Sequence, residues 1–169
     1  MKAYELSNGM ILDEENINGK GDLELEIKWA NWSAVTVFTP DDDDPDRADN
    51  AVALFERVYA KSEYWLMMAY YKLKEMIISR MTFEEYDEQA QLYREEEYWN
   101  LPLHNMKFSF FDHLLEEYEL ERVIFGNNGG IVFMFYDYAM DNGYIVSGNE
   151  TNKLTKVEGG CDNWDDIEQ

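Results

Sequence analysis

Apolar and charged residues alternate without a break in Leu23-Glu24-Leu25-Glu26-Ile27-Lys28-Trp29. A period of two places every second side chain on one face, so the segment reads as a half-buried strand. Ala30–Ser33 can turn the chain and Ala34–Phe38 is β-branched and aromatic, completing a hairpin with one wet face. Residues 3–6 and 10–12 are short enough to add a strand or two. Thr39-Pro40 stops the hairpin, and Asp41-Asp42-Asp43-Asp44-Pro45-Asp46 reads as an exposed loop of mutually repelling carboxylates. From Asp46 or Asp49 the period changes to that of a helix, with Ala48, Ala51, Val52, Phe55, Val58 and Tyr59 on one side.

Residues 62–80 form the most apolar helical stretch. Trp65, Leu66, Ala69, Leu73, Met76 and Ile77 make one face, and Met67, Tyr71 and Ile78 populate the other side, as in a central helix. Thr82-Phe83-Glu84-Glu85 matches a capping box and predicts a further helix to about Tyr98. After Asn100-Leu101-Pro102, Ser109 can cap a short helix through Glu119. The remainder reads as a meander, with strands at Arg122–Phe125, Ile131–Tyr136, Tyr144–Ser147 and Leu154–Val157. Gly126-Asn127-Asn128-Gly129-Gly130 tolerates positive φ between the first two. The expected fold is α+β: an N-terminal β-hairpin, central helices and a C-terminal antiparallel β-meander packed on the helices. Residues 1–160 make a single domain, followed by a frayed acidic tail at 161–169.

The strand and turn pattern carries a family resemblance. The Trp-containing hairpin, the acidic loop and helices, then Arg122-Val123-Ile124-Phe125, Asn128-Gly129-Gly130, Ile131–Tyr136, Gly143-Tyr144-Ile145-Val146 and Leu154-Thr155-Lys156-Val157 resemble small bacterial domains of unknown function. Some of those occur as immunity proteins beside polymorphic toxins. The likeness covers about two-thirds of the chain. Such domains often carry a Gly-His pair in the third strand of the meander, whereas Met140–Ser147 has no His. The resemblance implies an immunity role and supplies no catalytic residue.

Composition narrows the classes. The 169 residues include 36 Asp or Glu against 14 Lys or Arg, a formal charge of −22, with 46% hydrophobic and 15% aromatic residues. That much aromatic content suits a packed core better than an acidic disordered tail. The field repels DNA, RNA and anionic membranes. No basic start leads into an apolar run of signal length, and the longest apolar stretches fall far short of a bilayer span. The single Cys161 cannot close an internal disulfide, in keeping with a reducing cytoplasm.

Candidate chemistry is sparse. His104 and His113 are the near-neutral acid–base groups. Ser109, Asp112 and His113 share one predicted helix, but adjacent residues do not share a helix face, so no nucleophilic triad follows. Carboxylates beside Cys161 oppose a thiolate. An EF-hand beginning anywhere from Asp41 to Asp44 lacks both the Gly at position 6 and the Glu at position 12. The Gly-rich 126–130 segment lacks the lysine of a phosphate loop, Ile131 following Gly130. No catalytic residue, cofactor or metal ligand is assigned, and with 36 acids any glycosidase-like pair is uninformative.

The acidity itself is the remaining signal. Duplex DNA carries one charge per ~1.7 Å of axis, so this net charge matches roughly 37 Å of duplex. A compact chain of this length has a radius of gyration near ~15 Å and is comparably wide. Solubility needs only about 2–8 net charges. The excess gathers in three places: the 41–46 loop, the 82–98 helix and the tail. Glu84, Glu85, Glu88, Glu95 and Glu96 are interleaved with aromatics ending in Tyr98 and Trp99, and Asp41, Asp42, Asp43 and Asp44 form a second patch. A solvated amphipathic helix with its aromatics turned to the core gives the same pattern. The favoured expectation is a cytoplasmic inhibitor or immunity-type protein using these residues to cover the substrate face of a basic nuclease or other nucleic-acid-acting enzyme. A phage-encoded DNA mimic of anti-CRISPR type uses the same physics. A hydrolase with a carboxylate-lined site and an acidic assembly subunit are the other classes.

Overall fold

The computed structural model describes residues 1–80, 118–138 and 142–161. Two short strands, β1 (Tyr4–Glu5) and β2 (Ile11–Leu12), pair with each other. A single 3-10 turn at Glu14–Asn16 leads to β3 (Leu23–Trp29) and β4 (Trp32–Phe38). Helices α1 (Asp49–Tyr59) and α2 (Ser62–Arg80) follow, and β5 (Glu119–Phe125), β6 (Gly130–Asp137), β7 (Asn142–Asn149) and β8 (Lys153–Cys161) complete the chain order. The α+β expectation holds. Tyr118 lies in a bend and Glu119 opens β5, however, so the helix expected from Ser109 does not run through either; its residues 109–117, like the helix expected at 82–98, lie outside the described residues. Strand β8 extends through Cys161, the first residue assigned above to the tail.

One sheet of six strands runs in the order β3-β4-β5-β6-β7-β8. Every neighbouring pair is antiparallel except β4 and β5, which run parallel from Val35↔Arg122 to Phe38↔Phe125. Hairpin and meander are therefore halves of one sheet, joined at a seam. The β3–β4 turn is tighter than the four residues expected, because Trp29 already pairs with Trp32 across Ala30 and Asn31. Ala30 carries the positive φ, 51°, that so short a connection demands.

The register assigns each strand two faces. Leu23, Ile27 and Trp29, Ala34 and Phe38, Val123 and Phe125, Ile131, Phe133 and Phe135, and Tyr144 and Val146 face the helices and form the core with both of them. Helix α1 contributes Ala51, Val52, Leu54, Phe55 and Val58, a stripe at helical spacing; α2 contributes Trp65, Leu66, Ala69, Tyr70 and Leu73. Trp29 is the centre of an aromatic cluster. Its indole lies 4.9 Å from Tyr59 and about 6 Å from Phe55, Phe125 and Phe133, and its Nε1–H donates to the Thr36 hydroxyl at 3.0 Å. That bond satisfies a fully buried indole, which would otherwise lose its water partner without compensation.

Two glycines are dictated by close approach. A Cβ on Gly148, at a register shift between β7 and β8, would lie 1.8 Å from the Lys153 carbonyl oxygen. One on Gly159 would lie 2.2 Å from the ring of Tyr144, its partner across the strands, so the ring covers the missing side chain.

Candidate functional site

The acidic loop is ordered by its own carboxylates. Helix α1 begins after Ala48, which has no side chain able to cap it. The first amides of the helix turn instead to Asp41: Asp49 N–H donates to Oδ2 at 3.3 Å and Asn50 N–H to Oδ1 at 3.2 Å. The Tyr4 hydroxyl accepts from Ala48 N–H at 2.8 Å and donates to Asp49 Oδ1 at 2.6 Å. A carboxylate at a helix start both satisfies orphan donors and meets the positive end of the helix dipole. Asp41 is thus only 8% exposed, which corrects the picture of four solvent-facing aspartates. Sequence reasoning missed this cap because the acceptor stands eight residues before the amide it serves.

Asp44 is also partly withdrawn. Its Oδ1 accepts from Asp46 N–H at 3.1 Å and its carbonyl accepts from Arg47 N–H at 3.0 Å, a turn closed by an aspartate side chain. Arg47 lies 3.9 Å from Asp44 and 3.6 Å from Asp49, and Lys2 is 3.1 Å from Asp49. The Asp49 carboxyl is held below its usual range, chiefly by the Tyr4 hydrogen bond and then by Lys2. The Tyr4 hydroxyl is pushed up to about 12, by burial first and by Asp49 second. What the loop presents to solvent is Asp42, Asp43 and Asp46.

Of the other residues expected at a partner surface, Glu84, Glu85, Glu88, Glu95, Glu96, Tyr98 and Trp99 lie outside the described residues, as do His104, His113 and the tail from residue 162. Among the described residues no group of three or more His, Cys, Asp or Glu side chains is placed to hold a metal ion, and no helix is long and apolar enough to cross a membrane.

Two features had no counterpart in the sequence reading. Lys74 on α2 is 3% exposed, and burial pushes its ammonium down to about 8. The second is on the sheet face turned away from α1 and α2. There a cleft of about 380 Å³ is floored by Val37, Ile124, Val132, Met134 and Ile145, and Lys20, Asp22, Arg122, Lys156 and Glu158 supply its charges. The signal for it was present: Ile131–Tyr136 is apolar on consecutive positions, which a strand with one wet face would not be.

Compared with protein-family models, with curated proteins and with solved structures, the chain matches none.

Proposed function

We propose that this chain is an acidic inhibitor or immunity-type protein that binds a basic, nucleic-acid-acting enzyme and covers its substrate face. The observation that carries the reading is the charge of −22 on 169 residues, equal to that of a duplex about as long as the domain is wide. Self-repulsion of this size opposes the compact state, so solubility is an inadequate account of it. The placement of Asp42, Asp43 and Asp46 supports the reading: their loop is pinned from within by Asp41 and Asp44, so the backbone that carries the outward carboxylates is held before any encounter. Fixed charges steer association without a further ordering penalty. A phage-encoded mimic of anti-CRISPR type draws on the same observation and differs in competing directly with nucleic acid for one groove.

The test is capture of the partner from the native host, followed by titration of the purified pair over a range of salt with and without the partner's nucleic acid. Affinity should fall steeply with salt, and reversal of Glu84, Glu85, Glu88, Glu95 and Glu96 to Lys should weaken it. Loss of binding in the presence of nucleic acid assigns the mimic; retention assigns binding beside the active site. An affinity that is the same at low and high salt would sink the electrostatic reading.

A further inference from the structure

The outward face of the sheet is organised in two lateral rows. One runs Glu26, Val35, Arg122, Met134, Ile145, Glu158, and the next runs Glu24, Val37, Ile124, Val132, Ser147, Lys156. Charges end both rows and apolar side chains fill the middle. Three of those are buried, Met134 at 1%, Val37 at 3% and Ile145 at 7%, although they stand on the side of the sheet opposite the main core. The cleft above them, about 380 Å³, is within the range that small ligands occupy.

Arg122 is the exception in this apolar centre. Its neighbours in the row are Val35 and Met134; the carboxylates of the row, Glu26 and Glu158, are two and three strands away. At a strand spacing near ~4.8 Å those separations are about 10 and 14 Å. Among the described residues no hydrogen bond or ion pair reaches its guanidinium, whereas Lys156 at the rim is held by Glu158 at 2.6 Å. A half-buried arginine on apolar ground is ordinarily matched by an anion, and its planar guanidinium fits a carboxylate or a phosphate with two parallel hydrogen bonds. The cleft also counts three cations, Lys20, Arg122 and Lys156, against the carboxylates of Asp22 and Glu158, a reversal of the balance over the chain as a whole.

We propose that this cleft is a binding site for a small amphipathic anion, a single carboxylate or phosphate on a short apolar body, with Arg122 gripping the head group and the half-buried Ile124 and Val132, over the buried Met134 and Ile145, receiving the body. The proposal stands or falls independently of the inhibitor reading.

The experiment is methyl NMR on the full wild-type chain titrated with octanoate, phenyl phosphate, octanol and inorganic phosphate. Octanoate or phenyl phosphate should shift the methyls of Ile124, Val132, Met134 and Ile145, and the stronger of the two assigns the head group. Octanol and inorganic phosphate should each bind at least about tenfold more weakly, since each lacks half of the recognition. Arg122→Gln, checked for folding by circular dichroism, should weaken the anion by about 10- to 100-fold and bring octanoate and octanol to parity. Lys156→Gln at the rim, which leaves the sheet centre untouched, should weaken the anions a few-fold and leave octanol unchanged. The proposal is overturned if no anion shifts these methyls, if the shifts fall elsewhere, if octanol or inorganic phosphate binds as tightly as the anions, or if Arg122→Gln changes nothing.

Discussion

Replacing Asp41 by alanine removes both acceptors from the start of α1. The amides of Asp49 and Asn50, at 3.3 and 3.2 Å from the carboxylate, then have no intrahelical partner, because a helix leaves its first N–H groups unpaired. Loss of a capping side chain costs about 0.5–2 kcal/mol, and loss of a negative charge at the helix start about 0.3–1 kcal/mol. The two overlap, and the bonds here are long, so about 1–2.5 kcal/mol is expected for Asp41→Ala. For a chain of this size that corresponds to a fall in Tm of about 2–10 °C. Asp41→Asn retains an acceptor and drops the charge, so it should lose about half as much. Asp42→Ala and Asp43→Ala alter exposed groups and should stay within about 0.5 kcal/mol of the parent. Thermal and urea unfolding followed by circular dichroism measure all four. If Asp41→Ala melts together with Asp42→Ala and Asp43→Ala, the carboxylate does not anchor α1 and the account of the loop is wrong.

Gly148→Ala forces a methyl against the Lys153 carbonyl, backbone that cannot rotate aside, and should destabilise by about 2–4 kcal/mol in urea unfolding; a loss under about 0.5 kcal/mol would contradict that packing. Lys74 predicts a pH dependence. Between about pH 10.5 and pH 8 the unfolded chain takes up a proton that the buried amine refuses, so this group makes stability fall as pH falls through that window. Lys74→Met should accordingly stabilise near neutral pH by roughly 1–3 kcal/mol, after allowance for the stem relaxing toward solvent, and the gain should fade by about pH 10.5. A gain independent of pH would show that burial does not set the acidity of this amine.

Local patterns in the chain were legible where one force acted alone. The alternation in Leu23–Trp29 needs only one buried face, and β3 follows it residue for residue. The stripe of Ala51, Val52, Phe55 and Val58 needs only one helix face, and it is buried as expected. Legibility ended where distant segments meet. The parallel pairing of β4 with β5 leaves no local trace, since parallel and antiparallel neighbours demand the same side chains from a central strand. Asp41 looked like one more member of an acidic run because its partners are backbone amides, which have no sequence signature. In the sequence Arg122 only opens a strand, and it is the lateral rows that place it among valine, methionine and isoleucine.

The parallel seam also governs how the chain can fold. Every antiparallel pair in the large sheet links strands consecutive in sequence, so the β3–β4 hairpin and the β5–β8 meander each form from neighbouring segments. Val35 to Phe38 must instead find Arg122 to Phe125, more than eighty residues away, with α1 and α2 in the intervening connection. Loop closure across that separation precedes any reward from pairing, so docking of the two halves is the entropically expensive step and the one that sets the folding rate. Until it occurs, the β4 and β5 edges are both open, and they are apolar: Val35, Val37 and Phe38 on one, Val123, Ile124 and Phe125 on the other. Such edges pair readily with other chains. In that interval the surplus of negative charge holds like chains apart while each closes its own sheet.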